Sequence, residues 1–184
     1  PDAAVISAAS QPSEWMNGSY QQIAIASGCG CVFRKSWFEK TTGYVPLPIA
    51  YSMEEVDVGL QLHALGGKVI HDPQLRVVHD HGPIEMVDAR MNATVLANTA
   101  LFPYLRFPMW LWPVGVWQVL RRIGYLLRHQ WTQGLLTGLQ MIPDHLRTYA
   151  TYRKSLRGAS VLSWLYLRYR PITLESATSV AEAE

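Results

Sequence analysis

Charge is scarce in this chain of 184 residues: Asp, Glu, Lys and Arg make up 16% of it, against about a quarter in an ordinary globular domain. Apolar residues reach 49%, which excludes a disordered chain. Cysteine is nearly absent. The two present, Cys29 and Cys31, stand two apart, where a disulfide would be strained. A lone pair without further cysteines is also a poor zinc site. Both read as free thiols in a reducing compartment. There is no internal repeat and no low-complexity tract. There is also no signal peptide and no initiator methionine before Pro1-Asp2, so the chain is expected to be a piece of a longer protein. Its length suits one domain, or a smaller domain with an extension.

What is present is unevenly placed. Residues 1–88 hold five Lys/Arg against ten Asp/Glu, a net −5, and residues 89–184 hold eleven against four, a net +7. That split points to an acidic working half and a basic half meeting an anionic surface. Five of the seven tryptophans lie in the basic half, and the crowding of tryptophan, leucine and proline there favours a membrane over nucleic acid. The basic residues there are separated by long apolar runs, and no nucleic-acid motif appears.

Along the chain, residues 1–20 read as loop with at most one short strand. Gln21–Ser27 and Cys31–Arg34 read as strands around Gly28-Cys29-Gly30, where backbone passes close to a neighbour. Ser36 three before Glu39 reads as a capping box for a short helix ending at Gly43. Glu54–Leu65 reads as a helix stopped by Gly66-Gly67. Lys68–His71 and Arg76–His79 read as two strands separated by a turn at Asp72-Pro73. Residues 84–101 and about 132–156 read as helices, Val161–Tyr169 as an aromatic run, and the tail from Ile172 as frayed.

The chemistry gathers between Tyr51 and Gly82. Glu54, Glu55 and Asp57 stand at a helix start, where the dipole and open N–H groups favour acids by about 0.3–1 kcal/mol each. An acid there can also face a pocket and accept a hydroxyl proton. His79 ends an apolar strand, where ligands commonly sit, and a neutral imidazole can bind a divalent metal. Asp80 and His81 add ligating capacity from a turn.

Five pieces, Gly28–Arg34, Ser36–Gly43, Glu54-Glu55-Val56-Asp57-Val58, Leu65-Gly66-Gly67 and Pro73–His79, follow one another in an order and spacing that resemble the second half of a family 2 glycosyltransferase domain of the GT-A fold. The resemblance implies an α/β fold class, the second half of a GT-A domain in residues 1–88. An all-α amphipathic extension over 89–172 and a flexible tail over 173–184 would follow. It implies inverting transfer of a sugar from a nucleotide-sugar to a glycan or lipid-linked acceptor, with Glu55 as general base. Glu54, Asp57, Gly28 and Gly30 would serve the acceptor side, and His79 would be a ligand of Mg²⁺ or Mn²⁺. Three features depart from the family. Glu55 replaces the usual Asp, moving the carboxylate by one methylene, and Gln61 stands where Arg is common. No Asp-x-Asp or Gln-x-x-Arg-Trp occurs, so single-sugar transfer is expected over polymerisation, and the fragment alone is expected to be inactive.

From Met91 to Leu120 the only charge is Arg106. That run is long enough to span a bilayer, which needs about 20 apolar residues, but three prolines interrupt it. Trp110, Val114 and Trp117 recur at helical spacing with Trp112 beside them and Arg121, Arg122 and Arg128 following. This suits a helix lying in the headgroup layer on the cytoplasmic face of a membrane, its tryptophans and arginines in contact with lipid. A stripe packed in the core and a true span stay open beside it. Two other functions also stay open: a non-catalytic membrane-associating interaction domain, and a metal-dependent hydrolase built on His79, His81 and Asp57.

Overall fold

Ala3–Ala9 forms a seven-residue strand where the sequence pattern promised mostly loop. Ala4, Val5, Ser7, Ala8 and Ala9 are buried and Ile6 is exposed, so buried side chains fall on both faces and no polar alternation marks the strand. The computed structural model describes residues 2–9, 19–51, 53–78 and 88–174. In chain order the elements are β1 (Ala3–Ala9), β2 (Gln21–Ile23), β3 (Cys31–Phe33), α1 (Lys35–Phe38), α2 (Glu54–Ala64), β4 (Lys68–Arg76), α3 (Ala89–Arg106), α4 (Trp112–Arg128), α5 (Leu135–Thr148), α6 (Gly158–Tyr169) and β5 (Ile172–Thr173). Two 3-10 turns, Met109–Leu111 and Ala150–Tyr152, precede α4 and follow α5. The chain divides into two compact units: Pro1–Gly43 with Val58–Asp80 and Ser160–Glu184, and Tyr44–Asp57 with His81–Ala159.

The first is a sheet unit. Its five strands run β3-β1-β4-β2-β5, with β1 and β4 parallel and the other neighbours antiparallel. The sheet and its helices make the architecture mixed α/β. Val58 and Leu62 of α2 pack with Ala4, Val5, Ala26 and Val69, and full burial of such side chains stabilises by about 1.5–3 kcal/mol each. Gly66 ends α2 in the left-handed region at φ 87°. A side-chain carbon on the next residue, Gly67, would stand 2.9 Å from Ala4 Cβ, so one glycine is needed for conformation and the other for space.

Four local expectations are corrected in this unit. Asp72-Pro73 does not divide the region into a pair of strands but lies inside β4, where the partner of Ala8 is Asp72 and that of Ala9 is Arg76. Asp72 Oδ1 accepts from Gln74 N at 2.9 Å, so the turn chemistry is spent on a bulge. Ser36 does not cap α1. The N-cap is Arg34, two residues earlier, and its N–H is held by Ala4 O at 2.9 Å. The strand foreseen over Gln21–Ser27 stops at Ile23. The tail does not fray at Ile172: Gln22 pairs with Ile172 and Gln21 with Thr173.

The second is a helical unit built on α3. Pro103 was expected to break this region, yet α3 runs through it, with Phe107 N donating to Pro103 O at 2.9 Å. Pro113 falls in the first turn of α4, where the missing N–H costs nothing. Glycines let the helices approach: an added carbon at Gly115 would meet Pro103 Cβ at 2.6 Å, and at Gly138 would meet Ala93 O at 2.8 Å. Among the described residues no helix is long and apolar enough to cross a membrane.

Candidate functional site

The first turn of α2 lies in the helical unit, and the irregular segment 44–51 lies ahead of it. Glu54 Oε2 accepts from Met53 N at 3.2 Å, and Asp57 N donates to Met53 O at 2.8 Å. Met53 is buried, which seats the helix start. Glu55 is half-buried. Burial pushes its carboxyl pKa up, a hydrogen bond from its own backbone N–H pulls it down, and the neighbouring Glu54 charge raises it, with a net upward shift. A carboxylate moved toward neutral pH is better matched to accept a proton at working pH.

Asp57 is buried and paired. Arg106, the last residue of α3, is fully buried and donates from Nε to Asp57 Oδ1 at 2.5 Å and from Nη2 to Oδ2 at 2.7 Å. Its Nη1 reaches Tyr152 O at 3.2 Å. This two-pronged geometry is the strong form of the Arg–carboxylate contact. It fixes the turn that carries Glu55, two residues before Asp57.

A second staple holds the segment entering that turn. Buried Asn98 of α3 donates through Nδ2 to Ile49 O at 3.1 Å and Tyr51 O at 3.2 Å. Both amide hydrogens are thereby used, so Oδ1 must accept, and His145 Nε2 at 2.9 Å is its donor. Burial lowers the His145 pKa, which favours the neutral ring protonated on Nε2. Beside this network lies a groove of about 790 Å³ lined by Ile49, Arg90, Thr94, Met141, His145 and Tyr149 among others.

Gly28 and Gly30 belong to the sheet unit, in the turn between β2 and β3. Gly28 is exposed. An added carbon at Gly30 would stand 2.8 Å from Val77 Cγ2 and 3.2 Å from Ala8 Cβ, and Gly30 O accepts from Ala8 N at 2.7 Å. Close packing on β1 is thus a sufficient reason for that glycine. Cys29 and Cys31 form no disulfide, and Ser27 Oγ lies 3.1 Å from Cys29 Sγ. Gln61 is buried and its Oε1 accepts from Thr42 N at 2.8 Å and Thr42 Oγ1 at 2.9 Å. His79, with Asp80 and His81, lies outside the described residues. Among the described residues no group of three His, Cys, Asp or Glu side chains is gathered to hold a metal.

The aromatic-basic residues fall into two sets. Trp110 and Trp117 are 63% and 59% exposed, and Arg121 is exposed as well. Trp112, 37% exposed, lies 6.0 Å from the Tyr104 ring, with the Arg153 guanidinium 5.2 Å from each ring centre. Arg122 is half-buried, 5.3 Å from the Tyr125 ring, and burial lowers its pKa. Sequence reasoning passed over Arg106, Asn98 and His145. A lone charge in an otherwise uncharged thirty-residue run was the available signal for Arg106, because a buried charge needs a partner.

Comparison of the chain with known proteins gave no match to a family model, to a curated protein or to a solved structure.

Proposed function

We propose that this chain supplies the acceptor side of an inverting glycosyltransferase. Glu55 takes the proton of an acceptor hydroxyl, the hydroxyl oxygen attacks the anomeric carbon of a nucleotide-sugar, and the bond to the diphosphate breaks with inversion. The observation that carries this reading is the treatment of the three acids. Asp57 is locked by Arg106 and Glu54 turns back to Met53 N. Glu55 stays half-exposed with a raised pKa, on a turn held rigid from both sides. Holding a base within a fraction of an ångström of its working position is what such support would supply.

A glycan or lipid-linked acceptor and a peripheral location on the cytoplasmic face of the membrane belong to the same reading. So does Mg²⁺ or Mn²⁺ on the leaving diphosphate, for which His79 is the one ligand named in this chain. The second reading, a non-catalytic membrane-associating module, takes support from the exposed tryptophans. Glu55→Gln in the full-length protein separates the two. Transfer should fall by about 10²–10⁴-fold, the usual worth of a positioned base, while nucleotide-sugar affinity measured by calorimetry stays close to wild type. Wild-type turnover in the variant would remove Glu55 from the mechanism.

A further inference from the structure

We infer that the 3-10 turn and helix α4 form a docking face for an anionic lipid bilayer, with Trp110, Trp117, Leu120 and Leu127 entering the headgroup–acyl boundary and Arg121 and Arg128 taking lipid phosphates. Trp117, Leu120, Gly124 and Leu127 follow one another at steps of three and four residues, so they form one column along α4. Arg121 and Arg128, four and eleven residues after Trp117, form the adjoining column. Met109, Trp110, Trp117, Leu120 and Leu127 are all exposed, as are Gly124 and both arginines. One edge of Trp110 packs on Gly158, where an added carbon would stand only 2.2 Å from the indole. The rest of the ring stays outside.

Charge selects the occupant. Between Asp88 and Asp144 the chain contains no Asp or Glu, so the charged side chains of this whole stretch are of one sign. A second copy docked on the same face would set arginines against arginines, since a two-fold interface is self-complementary. An anionic bilayer instead offers phosphates to the arginines and an apolar layer to the column beside them, with indoles at headgroup depth. The face is narrower than the sequence implied. Trp112 and Arg122 each lie five residues from Trp117, about 140° around the helix, and are held by Tyr104 with Arg153 and by Tyr125. They are assigned to the inner flank.

Flotation of the full chain with phosphatidylglycerol-containing vesicles, against phosphatidylcholine alone, tests the face. Binding to the anionic vesicles is expected, weakening as salt rises, with a blue shift of tryptophan emission. Gly124 supplies a variant that does not threaten the fold, because an added side-chain carbon there meets nothing within 4 Å and glutamate is the better helix former. Gly124→Glu should keep or raise the melting temperature yet weaken anionic-vesicle binding at least about fivefold, the worth of one charge at such a surface. Gly124→Leu should strengthen binding, Trp117→Ser should weaken it, and Trp112→Phe should leave it unchanged. The assignment is overturned by absence of flotation at low salt, by Gly124→Glu binding like wild type, or by a concentration-dependent dimer that buries Trp117 in place of lipid binding. Docking and proton abstraction stand or fall separately, since Glu55→Gln should float like wild type.

Discussion

Among the described residues, the buried polar side chains of the sheet unit are Ser7 and Gln61, both uncharged, whereas the helical unit buries Asp57, Asn92, Thr94, Asn98 and Arg106. The difference follows from what each unit must satisfy. Strands β1, β3, β4, β2 and β5 settle their backbone groups on one another, so side chains need only close small gaps. Ser7 Oγ takes Ser27 N at 2.9 Å and Gln61 takes Thr42. Segment 44–51 in the helical unit forms no helix or strand, and its carbonyls must find other partners. Asn98 provides them at Ile49 and Tyr51, and Asn92 does the same for Trp131 O and Gln133 O at 3.3 and 3.2 Å. Side-chain amides and one ion pair thus replace a ladder.

That contrast can be broken most forcefully at Arg106. Arg106→Met leaves the Asp57 carboxylate buried without its partner and should cost about 3–5 kcal/mol, read by denaturant unfolding. Asp57→Leu combined with Arg106→Met removes both charges and should recover most of that loss. A single variant as mild as a surface substitution would show that the pair does not anchor the turn. In the full-length enzyme proposed above, the stable double variant should still transfer sugar poorly, because Glu55 loses its support.

Asn98→Ala comes next. It strips Ile49 O and Tyr51 O of their donor and should cost about 1–3 kcal/mol, with faster proteolytic cleavage near residues 49–51. Cleavage at the wild-type rate would mean that the segment is held by other contacts. A smaller loss is expected from the sheet unit's own buried donor. Trp164 Nε1 reaches Ala24 O at 2.9 Å, and Trp164→Phe should cost about 1 kcal/mol in a thermal or denaturant melt. A loss exceeding that of Asn98→Ala would reverse the ranking of the two units.

The smallest effect is the pH dependence of Glu55. Its folded pKa is raised, chiefly by burial, so the native state holds this proton more tightly than the unfolded chain does. The stability contributed by the group is therefore present below the unfolded pKa and lost as pH rises through the raised folded value. Glu55→Gln removes that loss and should melt no lower than wild type at neutral pH. A lower melting temperature there would mean that the ionised carboxylate has a stabilising partner.

Much of α2 was legible from residues alone. Three acids marked its start and Gly66-Gly67 its end, and both lie where those signals put them. The short helix before Gly43 was legible too, although its cap was not. The misses share a cause. β1 has no polar face to read, β4 carries a turn signal inside a continuous strand, and α3 contains a proline that its neighbours tolerate. For the candidate site, the carboxylates were visible as a group. Which of them is tied down and which is left accessible was not, since the deciding guanidinium lies 49 residues away in the chain.

What the sequence determined by itself is therefore local: the helix start with its acids, the glycine stops, the acid-free basic stretch and the spacing of its tryptophans. These depend on caps, turn conformations and periodicity, which act within a few residues. Only the tertiary structure decided that Asp57 is spent on Arg106 while Glu55 is not, and that Trp110 and Trp117 face outward while Trp112 and Arg122 are held. Such choices turn on which distant side chains meet, and burial alone then sets whether a charge must be paired or an indole is left exposed.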